Sequence, residues 1–232
     1  MRNRFRKVVP AALLLCLSGA ALVRAEDWAD VARYRAENAT LGPPAPGKMR
    51  VVFIGDSITD RWGRQHGKFF PEEPGYINRG IGGQVSGQML VRFQQDVIQL
   101  EPKVVVILAG TNDIPTGVPP QDTEANLTSM VELARLHKIK VVFASLLPVT
   151  DCYRPNQTTR RPLAKLQEIN NWIEAYCRKN KLVFLDYFKG MSDDKGLLKC
   201  ELTVDGVHPS DAGYEVMGKL ASQAIQKALG KK

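Results

Sequence analysis

The sequence predicts an α/β domain, a parallel sheet covered on both faces by helices. Two patterns carry that expectation. Short continuous runs rich in β-branched residues recur along the chain, bounded by Gly, Pro or Asp, as strands buried on both faces require. Between them lie stretches with apolar residues at helical spacing. Regular alternation of the two argues for a parallel sheet with crossover helices.

Taken in order, residues 26–48 come first and form an N-terminal arm. Trp28, Val31 and Tyr34 predict one side of a helix over 27–38, and the Pro- and Gly-rich stretch 41–47 predicts a connector. Strands follow at 50–55, 104–109, 141–145 and 182–185, with a weaker one at 76–78. Ser86 is placed to cap a helix carrying Leu90, Phe93 and Val97. Leu127, Met130, Val131 and Ala134 follow i, i+3, i+4, i+7 spacing. Leu166, Ile169, Ile173 and Cys177 make another stripe, ended by Asn180. Met217, Leu220, Ala221, Ala224 and Ala228 make the last, stopped by Gly230.

Residues 1–25 read as an address rather than as part of this domain. Arg2, Arg4, Arg6 and Lys7 form a basic start, 8–23 is apolar but broken by Pro10, Ser18 and Gly19, and a cut after Ala25 fits the small-residue rule. A bilayer span needs about 20 apolar residues, so the pattern predicts a signal peptide and a secreted or periplasmic protein without a stable membrane anchor. Cys16 follows Leu15, whereas lipid-attachment sites carry a small residue there. The domain proper is expected over 49–230.

The formal charge of +8 is concentrated in that leader, which holds five basic residues and no acid. The remaining 207 residues carry 27 basic against 24 acidic side chains, a balance that bears on solubility and not on a phosphate backbone. No nucleic-acid partner is expected. A chain with 44% hydrophobic and 24% charged residues is also neither disordered nor a disulfide mini-protein.

Cys152, Cys177 and Cys200 remain outside the leader, with no CxxC pair. Cys177 belongs to the apolar stripe of a helix and reads as a buried thiol. Cys152 and Cys200 fall in loops that a parallel sheet would send out on the same side, so their tips can meet in a disulfide. Three free thiols also fit the count.

In open parallel sheets, ligands bind at the carboxyl ends of the strands, and short polar motifs collect there. Gly55-Asp56-Ser57-Ile58 follows the first strand, Gly80-Ile81-Gly82-Gly83 the second, Gly110-Thr111-Asn112-Asp113 the third, and Asp205-Gly206-Val207-His208 lies near the end. Each alone is an ordinary cap or turn. The second lacks the third glycine of a dinucleotide loop. Jointly they supply the parts of an acyl-transfer site. A serine hydroxyl needs a base to take its proton. Of the three histidines, His66 sits in a polar loop and His137 closes a helix, whereas His208 has Asp205 three residues earlier to fix its tautomer. That carboxylate is expected to raise the proton affinity of His208 above the usual imidazole value, near 6.5. Gly83 and Asn112 suit the backbone and side-chain donors that a developing oxyanion needs.

These four blocks, in this order, resemble the SGNH or GDSL-like hydrolases over roughly residues 50–228. The stretches 78–83, 102–106 and 146–148 are most similar to platelet-activating-factor acetylhydrolase-type members and small secreted bacterial esterases. The resemblance implies a flavodoxin-like three-layer α/β/α sandwich with five parallel strands in the order 2-1-3-4-5. It implies Ser57 as nucleophile, His208 as base and Asp205 as its partner. It also implies an oxyanion hole from the N–H groups of Ser57 and Gly83 and the Asn112 amide, with alignment on Asn78 favouring Gly83 over Gly82. No cofactor or metal is implied. The expected activity is hydrolysis of carboxylic esters, with short acyl or acetyl groups on a carbohydrate or lipid. A lysophospholipase or thioesterase within the family is the nearby alternative. A non-catalytic binding module would have no need of all five residues, and a nucleotide-binding reading lacks the GxxxxGK[ST] loop. An α/β-hydrolase reading lacks the G-x-S-x-G elbow, and the scattered histidines offer no HExxH zinc motif. Trp62, Phe69 and Phe70 either line an acyl pocket or belong to the core.

Overall fold

Strand β1 (Val51–Gly55) is the second strand of a five-stranded parallel sheet and buries every residue. It pairs with β2 (Tyr76–Gly80) on one side and β3 (Val104–Leu108) on the other, with Val51 opposite both Tyr76 and Val104. Beyond β3 lie β4 (Lys140–Ala144) and β5 (Val183–Leu185), which gives the order β2-β1-β3-β4-β5. The computed structural model describes residues 26–72 and 75–230, so the leader read in residues 1–25 lies outside the described residues. Among those described, no helix is long and apolar enough to cross a membrane.

The helices are α1 (Arg35–Leu41), α2 (Ser57–Arg61), α3 (Phe69–Glu72), α4 (Ser86–Asp96), α5 (Asp113–Thr116), α6 (Pro120–Leu136), α7 (Gln157–Arg160), α8 (Leu163–Asn180), α9 (Tyr187–Met191) and α10 (Asp211–Leu229). α4, α6 and α8 pack side by side on one face, and α10 covers the other with α3 and α9. This is what right-handed crossovers give when the chain starts in the middle of the sheet and reverses direction once. The continuous apolar character of β1 and β3 follows, because both faces of each strand are covered. The stripes of α6 and α8 are buried as their spacing predicts, through Leu127, Met130, Val131 and Ala134 and through Leu166, Ile169, Ile173 and Cys177.

Two local expectations are corrected. The arm forms no helix over 27–38. Asp27 accepts from the N–H groups of Val31 and Ala32 and winds residues 28–34 into turns, and α1 begins only at Arg35. Trp28 is 58% exposed, whereas Ala29 and Tyr34 are buried. The arm is held by polar ties rather than by an apolar stripe. Tyr34 donates to the Gly80 carbonyl, Gln84 Nε2 donates to the Ala29 carbonyl at 2.7 Å, and Arg79 pairs with Glu37 at 2.9 Å. Ser86 opens α4 but does not cap it. Val85 takes the cap position, and the Ser86 hydroxyl and N–H both donate to the buried carboxylate of Asp113, which also accepts from Thr123 at 3.1 Å.

Trp62 is buried in an aromatic cluster, stacked on Phe69 and Tyr214 at 4.9 and 5.4 Å between ring centroids, with Phe53 edge-on at 5.7 Å. Phe70 and Tyr76 join the same cluster. Of the two readings for Trp62, Phe69 and Phe70, these contacts are those of core residues.

Candidate active site

The carboxyl end of β1 turns straight into α2. Gly55 makes the turn possible, since a Cβ there would lie 2.1 Å from the Thr59 hydroxyl and 2.9 Å from the Leu108 carbonyl. Asp56 caps the new helix by accepting from the Ile58 N–H at 2.8 Å. Ser57 is therefore the first residue of α2, half-buried at the sheet edge where ligands bind.

The second part arrives from the far end of the chain. Asp205 Oδ1 accepts from the N–H groups of Val207 and His208 at 3.1 and 2.9 Å, which folds 205–208 into a self-supported turn. Gly206 sits inside it with φ +90°, and any Cβ there would meet the Thr150 carbonyl at 2.1 Å. Thr150 in turn donates to the Gly206 carbonyl at 2.9 Å, so the turn is laced to the loop after β4. A disulfide joins Cys152 of that loop to Cys200, with Cα atoms 5.9 Å apart, and Cys177 is left as a buried free thiol. The Tyr214 hydroxyl donates to the Ile58 carbonyl at 2.7 Å and fixes α10 against α2.

These constraints bring three side chains into line. Ser57 Oγ is 2.9 Å from His208 Nε2, and His208 Nδ1 is 2.7 Å from Asp205 Oδ2. With Nδ1 donating to the carboxylate, Nε2 carries the lone pair that can take the serine proton. The electrostatics suit that state. Burial is the largest influence and lowers the proton affinity of His208, the hydrogen bond and charge of Asp205 raise it, Arg61 and Arg161 lower it, and the net shift is downward. The expected rise is thus corrected to a fall, because desolvation of the imidazolium, together with Arg61 and Arg161, outweighs its partner. Burial pushes the Asp205 carboxyl up, but hydrogen bonds from His208 and Val207 bring it below the usual carboxylate range.

Gly83 follows β2 in an exposed turn with φ +80°, a conformation natural to glycine. Gly82 lies against the serine, since a Cβ there would be 3.9 Å from Ser57 Cβ, whereas a Cβ on Gly83 would meet nothing within 4 Å. Asn112 links the motifs. Its Nδ2 donates to the Gln84 carbonyl at 3.1 Å and lies 3.4 Å from Asp56 Oδ2, so the amide joins the turn carrying Ser57 to the turn carrying Gly83.

Sequence reasoning missed three residues here. Arg161 is buried and donates through Nη2 to Asn112 Oδ1 at 3.1 Å and through Nε to the Thr111 carbonyl at 3.2 Å. Gln84 bridges Arg92 and the arm while its carbonyl holds Asn112. Asp56 is more than a cap, being buried beside Asn112, and burial pushes its carboxyl up to about 6. Nothing local marks Arg161 or Gln84, since their partners are distant in sequence. A cleft of about 460 Å³ is walled by Ile114, Val118, Pro119 and Pro162 and edged by Arg160 and Lys165, and none of Ser57, Gly83, Asn112, Asp205 and His208 lines it. His66 is engaged elsewhere, 3.4 Å from Asp211, and His137 closes α6.

Residues 53–216 match the GDSL-like Lipase/Acylhydrolase family. A solved structure described as an acylhydrolase, from Bacteroides fragilis NCTC 9343, is 44% identical with a TM-score of 0.81, over 88% of this chain and 99% of that one. A GDSL-like lipase from Bacteroides thetaiotaomicron VPI-5482 is 43% identical with a TM-score of 0.79, over 88% and 100%. Acetylxylan esterase of Geobacillus stearothermophilus is 24% identical over 204 residues, 73% of this chain and 90% of that protein. The match covers less than two thirds of other curated relatives. The chain spans about a third of the lipoprotein YqeF of Bacillus subtilis (33%), with 36% identity over 81 residues. A family match across most of the chain, on a sheet of the same strand order, fixes the assignment: the chain belongs to the GDSL-like lipase/acylhydrolase family.

Proposed function

We propose that this protein is a serine esterase that hydrolyses short acyl or acetyl esters of carbohydrate or lipid. The supporting observation is the hydrogen-bonded chain from Ser57 Oγ through His208 to Asp205, at 2.9 and 2.7 Å. In this reading Ser57 Oγ attacks the ester carbonyl while His208 Nε2 takes its proton. The tetrahedral oxyanion accepts from the N–H groups of Ser57 and Gly83 and from Asn112 Nδ2. His208 returns the proton to the departing alkoxide, which leaves an acyl group on Ser57. Water, deprotonated by His208, then attacks the acyl-enzyme, and Ser57 leaves with the proton to close the cycle. Asp205 keeps the imidazole oriented throughout.

Similarity to an acetylxylan esterase supports acetyl on a sugar as one substrate class. The basic start and interrupted apolar stretch of residues 1–25 support action outside the cytoplasm after cleavage near Ala25. A series of p-nitrophenyl esters of increasing chain length, followed by acetylxylan, tests the reading. Highest kcat/KM on acetyl or other short esters supports it. No turnover of any ester, or a preference for long chains, overturns it.

A further inference from the structure

We propose that Arg161 is a positioning residue that locks the Asn112 amide in the one orientation able to donate to an oxyanion. The inference rests on the reading of Asn112 as an oxyanion donor given above. An asparagine amide has a donor end and an acceptor end of nearly equal shape, and rotation by 180° exchanges them. Flipped, Asn112 would present a carbonyl oxygen to the developing negative charge and raise the barrier instead of lowering it.

The surroundings of Asn112 forbid the flip. A guanidinium has only donors, so Arg161 Nη2, at 3.1 Å, requires the oxygen at its end of the amide. The Gln84 carbonyl has only acceptor capacity and requires the nitrogen at the other end, at 3.1 Å. Asp56 Oδ2, 3.4 Å from Nδ2, reinforces that choice. Rotation would set donor against donor and acceptor against acceptor, and would leave Arg161 Nη2 and the Gln84 carbonyl without their partners. Arg161 is itself immobilised, since it is buried and its Nε is anchored on the Thr111 carbonyl at 3.2 Å. Its positive charge against Oδ1 also draws electron density from Nδ2 and makes both N–H groups stronger donors, of which the one on the long 3.4 Å contact to Asp56 Oδ2 is the one an oxyanion would take over.

Arg161 could instead serve only to balance the buried charge of Asp56. A double-mutant cycle separates the two roles. Arg161→Met, Asn112→Ala and the double variant are assayed on p-nitrophenyl acetate, with thermal melts to verify folding. Asn112→Ala is expected to lower kcat about 10²–10³-fold with little change in KM. Arg161→Met is expected to lower kcat about 10- to 100-fold, less than loss of the donor itself, again with KM held. The decisive result is non-additivity, in which adding Arg161→Met to Asn112→Ala costs little further kcat. The pH profile gives a second readout. The charged groups facing His208 are Asp205 from its own turn, Arg61 from α2 and Arg161. Removing the Arg161 cation should move the acid limb of kcat/KM to higher pH, and Arg161→Lys should hold it in place. If Arg161→Met melts below assay temperature, Arg161→Gln, a neutral donor, carries the same cycle. Losses that multiply in the double variant, or a higher KM at unchanged kcat, overturn the proposal while Asn112 keeps its role. An Asn112→Ala variant with wild-type kcat overturns the reading of Asn112 and the proposal with it.

Discussion

His208 Nδ1 lies 2.7 Å from Asp205 Oδ2, yet the imidazole is held below its ordinary proton affinity. Burial, joined by Arg61 and Arg161, opposes the imidazolium more strongly than Asp205 favours it. The pair is thus tuned to keep His208 neutral and ready to accept a proton near neutral pH.

A base works only when neutral, so kcat/KM should rise with pH as His208 loses its proton, with a midpoint below about 6.5. Asp205→Asn removes the main influence that favours the charged ring, and the midpoint should fall further. The plateau rate should drop on the order of 10⁴-fold, as when the equivalent partner is lost in well-studied triads. A pH–rate profile of both proteins checks this. A wild-type midpoint above 7, or an upward shift in the variant, would contradict it.

Asp56 gives a stability prediction with its own sign. Its carboxyl is pushed up to about 6 from 3.8, chiefly by burial, so the folded protein holds this proton more tightly than the unfolded chain. The group's contribution is fully present below pH 3.8 and is lost as pH rises through about 6. Asp56→Asn stays neutral across that window. Melting temperatures measured from pH 4 to 7 should therefore shift in favour of the variant as pH rises. A difference that is constant or falls with pH would show that Asp56 is not a desolvated acid.

The Cys152–Cys200 link spans 48 residues, which in the chain-entropy model is worth roughly 3–4 kcal/mol. It also ties down the segment leading to Asp205 and His208. Cys152→Ser/Cys200→Ser should lower the melting temperature and reduce activity before global unfolding. Peptide mapping without reductant should find that bridge and Cys177 free, its thiol pushed up to about 12 by burial and slow to alkylate. Three alkylatable thiols, or a bridge through Cys177, would overturn this.

The sheet was legible from sequence because its strands are buried on both faces, which leaves continuous runs such as 104–109 that no amphipathic helix would show. The stripes of α6 and α8 were legible because their partners lie at fixed spacing. The arm was misread because Trp28 and Val31 have the right spacing for a helix. The fold instead satisfies the arm through Tyr34, Ala29 and the Gln84 side chain, contacts about 50 residues apart in sequence. Ser57, Asn112, Asp205 and His208 stand in motifs that carry their own local turn chemistry. Arg161 meets Asn112 across 49 residues with no motif around it. The direction of the His208 shift was hidden for a similar reason. Asp205 is visible three residues away, whereas burial by other elements is not.

The proposed mechanism rests above all on Ser57 as the nucleophile. The wild-type protein and Ser57→Ala are each treated with a fluorophosphonate, and the products are mapped by tryptic peptide mass spectrometry beside an esterase assay. One adduct is expected, on the peptide containing Ser57, formed in step with loss of activity. The alanine variant should take no label and lose on the order of 10⁶-fold in rate, by analogy with a triad enzyme stripped of its serine, while keeping the wild-type melting temperature. An adduct on another residue, or an alanine variant retaining a tenth of the wild-type rate, would reduce Ser57 to the first residue of a helix.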